Sequence, residues 1–146
     1  MFGYDREAVT VALGGPIYDR TFARYVMLRL EYLLQDRTQP FPTFTRLSVE
    51  HVLPQNPGPD SQWRNDFTDD QRAYWTHRLA NLVLLSRIKN AELSNREFAL
   101  KKTKYFKSSV NVFPNVVKVM QFSEWTPRIL EERQKQLLDL MMHGFK

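Results

Sequence analysis

The sequence contains no cysteine, and this absence excludes two common ways of stabilising a small fold. Disulfide bonds cannot form, and any metal must be held by oxygen or nitrogen ligands rather than by thiolates. Long apolar runs are also missing, since no stretch approaches the roughly 18 apolar residues of a membrane-spanning helix. The N-terminus lacks the basic-then-apolar layout of a secretory signal. We therefore expect a soluble, cytoplasmic protein without a membrane association.

Internal repeats and low-complexity segments are absent as well. The composition that remains, 146 residues of which 42% are apolar, fits one domain with a substantial core. A net charge of +5 favours polyanionic partners such as nucleic acid. Charge alone is weak support, because many basic proteins bind no DNA.

Four segments carry the sequence signals of helices. They are residues 17–35, a short segment after Thr68, residues 95–106, and a C-terminal helix that begins at Pro127. Apolar side chains recur at three- and four-residue steps in the first of them. The third follows a capping box formed by Ser94 and Glu97, and the last has Thr126 as its N-cap.

Two short apolar runs, RLSVEHVL and NLVLLS, have the composition of strands. Residues 54–67 between them are rich in proline, glycine, asparagine and aspartate, which predicts a long loop. The segment NVFPNVVKVMQF fits neither helix nor strand clearly. The pattern as a whole predicts an α+β fold that is mainly helical.

Polar residues stand at the ends of the two predicted strands: Glu50, His51, Asn81 and Asn90. Asn81 and Asn90 are separated by one short strand and a turn, so a strand pair packed on a helix could bring all four side chains to one point. Each residue also has a simpler interpretation. His51 could be an ordinary strand end, Asn81 could fasten the long loop, and Asn90 could be a turn or cap residue.

The motif EHVLPQ followed by NLVLLSRIKN resembles the signature of HNH, or His-Me finger, nucleases. The wider pattern is similar to the C-terminal nuclease domain of GmrSD-type modification-dependent restriction endonucleases. That family combines the EHxLPQ motif with a tryptophan-containing loop, a GNLTLLS-like segment and a helix of the form SN..F..KK..Y. The resemblance covers about residues 17 to 143 and departs at Ala80, where the family has glycine.

The resemblance implies a ββα-metal (His-Me finger) core flanked by N- and C-terminal helices. It assigns residues 1–16 to an N-terminal extension and residues 17–146 to a single HNH nuclease domain. It also implies that the domain forms the C-terminal part of a larger protein, whose N-terminal ParB-like NTPase domain is absent from this chain. A role in defence against phage follows from the resemblance alone.

The resemblance also assigns roles in DNA cleavage. His51 is the base that activates water, and Asn81 fixes its ring or its backbone. Glu50 and Asn90 supply oxygen ligands to a divalent cation, Mg²⁺ or Mn²⁺, which prefers such ligands. One difficulty remains, because neighbouring residues on a regular strand point to opposite faces. Glu50 and His51 can therefore both reach one metal site only if the strand bends before Pro54, or if one of the two works from the edge of the strand.

Basic side chains crowd the sequence after the second strand and are predicted to hold DNA phosphates. They are Arg87, Lys89, Arg96, Lys101, Lys102 and Lys104. The same lysines could instead form a solvated helix face. His77 and His143 lie outside the motif and are interpreted as surface residues, and Trp63 as a core residue. The alternatives to a DNA nuclease are a catalytically weak DNA-binding or regulatory module of the same fold, and an HNH nuclease directed at RNA.

Overall fold

The computed structural model describes residues 6–35, 47–85, 96–102 and 113–143. The fold is mainly helical with one small antiparallel sheet, so the α+β prediction is confirmed, whereas the ββα-metal core stays a prediction. A 3₁₀ turn, Leu79–Asn81, precedes the second strand. The other elements in chain order are α1 (Arg6–Gly14), α2 (Ala23–Leu34), β1 (Ser48–His51), α3 (Gln62–Asp66), α4 (Asp69–Trp75), β2 (Leu82–Leu85), α5 (Phe98–Leu100), α6 (Pro114–Met120) and α7 (Pro127–His143).

The two strands pair antiparallel, with Glu50 opposite Val83 and His51 opposite Leu82. All four residues of β2 are buried. Because side chains alternate between the two faces of a strand, they contact two different apolar clusters in turn. The small sheet is therefore covered on both faces, and side chains at its end are placed by packing from two sides.

The first cluster, the aromatic core, is built around tryptophan and phenylalanine side chains. Its aromatic members are Trp63, Phe67, Trp75, Phe98 and Trp125. The second cluster, the helical core, is filled mainly by aliphatic side chains, most of them from α1, α2, β2 and α7. Helix α7 joins the two, since Leu130 lies in the aromatic core and Leu137 in the helical core. Trp63 is a core residue, as predicted.

Helix α2 begins at Ala23, later than the predicted start at residue 17. The residues before it are held by main-chain contacts to another part of the chain: the Ile17 N–H donates to the His77 carbonyl at 2.8 Å, and Pro16 forms a β-bridge with Arg78. These long-range bonds compete with helix formation over the first turns of the apolar pattern. Residues 6–14, in the segment assigned to the extension, form α1, which packs on α7.

The helix predicted after Thr68 is confirmed, and its capping box joins Thr68 to Gln71 in both directions. It ends at Trp75, because the chain then turns into the 3₁₀ segment before β2. Ala80 lies in that segment without a positive φ, so the turn does not require the family's glycine.

Two segments differ from the sequence interpretation. The predicted loop of residues 54–67 contains α3, and the unassigned segment around Pro114 forms α6, with the proline in the first turn where its missing N–H costs nothing. The predicted helix 95–106 is seen only from residue 98 to residue 102, and the rest, with the cap at Ser94, lies outside the described residues. Helix α7 begins at Pro127 as predicted. None of the helices in the described ranges is long and apolar enough to cross a membrane.

Candidate active site

His51 is the last residue of β1 and is only 4% exposed. Its Nε2 lies 3.0 Å from Nδ1 of His77, which is a hydrogen bond in which one nitrogen donates and the other accepts. The ring of Tyr18 packs against His51, with 4.1 Å between ring centroids. The interpretation of His77 as a surface residue was wrong, because its side chain is half-buried against His51. His143 is exposed, as expected.

Glu50 precedes His51 on the strand and lies on the other face of the sheet. Its partner across the sheet is Val83, a member of the aromatic core, whereas the partner of His51, Leu82, belongs to the helical core. The carboxylate is 1% exposed, and its Oε1 accepts a hydrogen bond from Ser48 Oγ at 2.8 Å. Strand β1 keeps its register through His51, so the strand itself does not make the two side chains converge.

Asn81 lies at the end of the 3₁₀ turn and is fully buried. Its Oδ1 accepts from the Leu53 N–H at 2.7 Å and from Trp125 Nε1 at 3.0 Å. Its Nδ2 donates to the carbonyls of Leu53 and Thr76, both at 3.0 Å. The Asn81 carbonyl in turn accepts from the Val52 N–H at 2.9 Å. The bonds of Asn81 therefore hold the backbone just after His51. The hydrogen bond to the His51 ring is made by His77 and not by Asn81.

Lys101 was predicted to contact phosphate, but the structure places its side chain in the interior with no solvent exposure. Its Nζ donates to the carbonyls of His51 and Val52, at 2.8 and 2.7 Å, and lies 6.0 Å from the Trp63 ring centroid. Backbone carbonyl groups at a buried strand end need hydrogen-bond donors. Lys101, which directly follows the last residue of α5, supplies them. The prediction that Lys101 belongs to a DNA-contacting surface is therefore corrected.

Of the remaining basic residues that were predicted to contact DNA, the structure describes Lys102 and Arg96. Lys102 is half-buried, and its Nζ donates to the Phe122 carbonyl at 2.8 Å and lies 4.8 Å from the Phe98 ring centroid. Arg96 is exposed, and its carbonyl accepts from Trp63 Nε1 at 3.0 Å. Four predicted site residues lie outside the described residues: Arg87, Lys89, Lys104 and the predicted metal ligand Asn90.

The donor set fits a hard divalent cation in chemical type. Glu50 supplies a carboxylate, and Mg²⁺ commonly takes one or two protein carboxylates while it keeps several waters. In the parts of the chain that the structure describes, no three histidine, aspartate or glutamate side chains are grouped so that they could hold a metal ion. Of the two predicted cation ligands, Glu50 is the one whose position the structure describes.

Helix α2 carries a buried carboxyl group, Glu31. Its Oε2 accepts from the Asn115 N–H at 3.2 Å, and its Oε1 has no hydrogen-bond partner among the residues described. Burial raises the pKa of Glu31 to about 8, against the opposing effects of the Asn115 N–H and the charge of Arg133. The helical pattern of this segment predicts Glu31 on the solvent-exposed face, and this prediction was wrong, since Glu31 is fully buried.

Arg133 of α7 is buried and connects this region to the turn that carries Asn81. Its Nε donates to the Ala80 carbonyl at 2.9 Å, and its Nη2 donates to Asn115 Oδ1 at 3.0 Å. Gln134 completes the contact, since its Oε1 accepts from the Ala80 N–H at 2.8 Å. Burial lowers the pKa of Arg133 to about 10, so the guanidinium is charged at neutral pH. The C-terminal helix therefore fixes the turn from which the Asn81 side chain reaches the backbone of Leu53.

Comparison with known proteins supports the motif-based resemblance. The model of the family described as GmrSD restriction endonucleases, C-terminal domain, matches residues 12–140. No curated protein and no solved structure matches the chain. The matched range contains the strand pair, His51, His77, Asn81 and Lys101. The chain belongs to the C-terminal domain family of the GmrSD restriction endonucleases.

Proposed function

We propose that this domain is a divalent-metal-dependent HNH endonuclease that cleaves or nicks DNA with His51 as general base. The observation that carries the proposal is the placement of His51, at a strand end whose backbone is held by Asn81 and Lys101 and with its ring hydrogen-bonded to His77. Family membership supports the reaction class, since a restriction endonuclease domain acts on DNA. A general base must be held in a defined orientation toward the proton that it takes.

In the proposed reaction, neutral His51 takes a proton from the water that attacks the phosphorus. Glu50 and Asn90 are the proposed cation ligands, and Asn81 positions the backbone that carries His51. A bound Mg²⁺ or Mn²⁺ would neutralise charge on the phosphoryl oxygens and assist the leaving 3′ oxygen. Arg87, Lys89, Arg96, Lys102 and Lys104 remain the proposed phosphate contacts, without Lys101.

The biological setting is also a proposal. By its resemblance, the domain would be the effector of a modification-dependent restriction system that acts against phage in the cytoplasm. A ParB-like NTPase domain would recognise modified DNA and control cleavage.

A second candidate, a DNA-binding or regulatory module with weak chemistry, is favoured by one observation. Glu50 and His51 lie on opposite faces of the sheet, and neither is more than 4% exposed. In a strictly regular strand pair, the proposed base and the proposed ligand do not share a site. This candidate predicts DNA binding with little or no turnover.

A cleavage assay distinguishes these candidate functions. The purified protein is incubated with supercoiled plasmid or with single-stranded RNA, in the presence of Mg²⁺ or Mn²⁺. We expect open-circle and linear DNA with either metal, intact RNA, and no cleavage after addition of EDTA. Cleavage of RNA alone would move the proposal to an RNA nuclease. Bound but intact plasmid would support the module, and the absence of both cleavage and binding would contradict the nucleic-acid assignment.

A further inference from the structure

The contact between His51 and His77 joins two ring nitrogens that can share only one hydrogen-bond proton. We propose that His77 is a positioning residue for the nuclease reaction, which accepts a hydrogen bond from Nε2–H of His51 and thereby fixes the ring orientation and tautomer of His51. This inference rests on the proposed role of His51 as base. The two nitrogens are 3.0 Å apart, the ordinary distance for such a bond.

The direction of the bond decides which nitrogen of His51 can act as a base. When His51 donates from Nε2, its Nδ1 carries the lone pair that can take a proton from water. When His77 donates from Nδ1, the proton of neutral His51 must reside on its own Nδ1, and that nitrogen cannot act as a base. The orienting partner of a catalytic imidazole commonly sets its tautomer in this way.

The same bond survives the proton transfer. In the proposed step a water proton moves to Nδ1 of His51, the water oxygen bonds to phosphorus, and the bond from phosphorus to the 3′ oxygen breaks; this oxygen takes its proton from solvent. The His51 ring is then a cation with N–H groups on both nitrogens. Nε2–H still donates to His77 Nδ1, so His77 stabilises the charge without moving.

His77 is fixed well enough to impose an orientation. Its carbonyl accepts from the N–H groups of Ile17 and Tyr18, at 2.8 and 3.2 Å. The Tyr18 ring stacks on His77 with 5.2 Å between centroids and an interplanar angle of 16°, and it also contacts the His51 ring. The neighbouring Arg78 bridges to Pro16 and donates to the Gly14 carbonyl. The connection between α1 and α2 is thus attached to the residue that holds His51.

Three variants separate hydrogen bonding from packing: His77→Phe, His77→Asn and His143→Phe. Phenylalanine keeps a ring at position 77 but removes the nitrogen. Asparagine places an amide oxygen near the position of Nδ1, where it can accept the same hydrogen bond. His143 lies exposed at the end of α7, so its variant is the matched control for loss of a histidine.

We expect His77→Phe to reduce the plasmid cleavage rate at saturating DNA by about 10- to 100-fold, with DNA affinity changed by less than about twofold. His77→Asn should recover much of that rate, and His143→Phe should match wild type. A His77→Phe variant with the wild-type rate would overturn the inference. So would an asparagine variant as slow as the phenylalanine variant.

A second measurement does not depend on cleavage. Long-range ¹H–¹⁵N correlation spectra of the wild-type protein report which nitrogen of His51 carries the proton. We expect protonated Nε2 in wild type and a mixture of tautomers in His77→Phe. A His51 ring protonated on Nδ1 in wild type would overturn the inference whether or not the domain cleaves DNA, whereas an inactive wild type with protonated Nε2 would contradict only the proposed function.

Discussion

Lys101 and His51 are joined by a hydrogen bond of 2.8 Å from the buried ammonium group of the lysine to the carbonyl oxygen of the histidine. The same ammonium group also donates to the Val52 carbonyl. The N–H of the next residue, Leu53, donates to Oδ1 of Asn81. The last residue of β1 and the two residues that follow it are therefore held by side chains from other parts of the chain. The position of the proposed base is a property of the tertiary structure rather than of the strand alone.

Replacement of Lys101 by methionine should lower stability without changing the electrostatics of DNA binding. Lys101→Met keeps an unbranched side chain but leaves the His51 and Val52 carbonyls without these donors, which costs about 1–3 kcal/mol per unsatisfied group. The free energy of unfolding in urea measures this loss. The slope of log affinity against log salt should equal that of wild type, because a buried ammonium releases no counterion from DNA.

Arg96→Met is the matched control for Lys101, because Arg96 is an exposed basic residue near it in sequence. Its stability should change by no more than about 0.5 kcal/mol, since surface substitutions rarely cost more. If Arg96 contacts a phosphate, its variant should have a salt slope reduced by about one. A reduced slope for Lys101→Met would show that its ammonium reaches DNA and would contradict its buried placement.

Asn81→Asp should strongly destabilise the domain although the two side chains have nearly the same shape. The carboxylate keeps the acceptor role toward Leu53 and Trp125 but loses both donors, and it faces the carbonyls of Leu53 and Thr76. A buried charge facing two unpaired carbonyls should cost at least about 3 kcal/mol. Urea unfolding at neutral pH measures the loss, and a cost below about 1 kcal/mol would show that these bonds do not hold the turn.

Glu31→Gln tests the buried carboxyl group through the pH dependence of stability. The pKa of Glu31 is about 8 in the folded protein and near its ordinary value of 4.5 when unfolded. Its contribution to stability is therefore fully present below pH 4.5 and is lost as the pH rises toward 8, by at most about 1.4 kcal/mol per unit.

Unfolding free energies of wild type and Glu31→Gln, compared from pH 5 to pH 9, measure this contribution. The difference, wild type minus variant, should fall as the pH rises through this window and level off above pH 8. A difference that stays constant with pH would show that Glu31 has an ordinary pKa in the folded protein. Glu132, exposed on α7, provides a matched Glu→Gln control that should show no such trend.

The strand pair and most helices could be predicted from the sequence because their signals are local. Apolar runs identify β1 and β2, the Thr68 capping box identifies the start of α4, and Pro127 marks the start of α7. The start of α2 could not be predicted, because Ile17 is bound to the backbone of His77, sixty residues later. Local periodicity contains no information about such long-range competition.

The placement of the candidate site residues could be predicted only in part, for the same reason. The motif identifies His51 and Asn81, and the structure places the Asn81 side chain against the backbone just after His51. It does not identify His77, whose ring contacts the ring of His51 although the two residues are 26 positions apart. Lys101 was assigned to the wrong environment because a lysine has the same sequence signal on a solvated helix face as in a buried contact with two carbonyls.

The most direct test of the central claim is the rate of plasmid cleavage by His51→Ala, compared with wild type and His143→Ala in Mg²⁺, with DNA affinity measured in the same samples. If His51 is the general base, the His51 variant should cleave about 10²- to 10⁴-fold more slowly than wild type. Its DNA affinity should be unchanged, and the exposed His143 variant should remain active. Cleavage by His51→Ala at the wild-type rate would contradict the account.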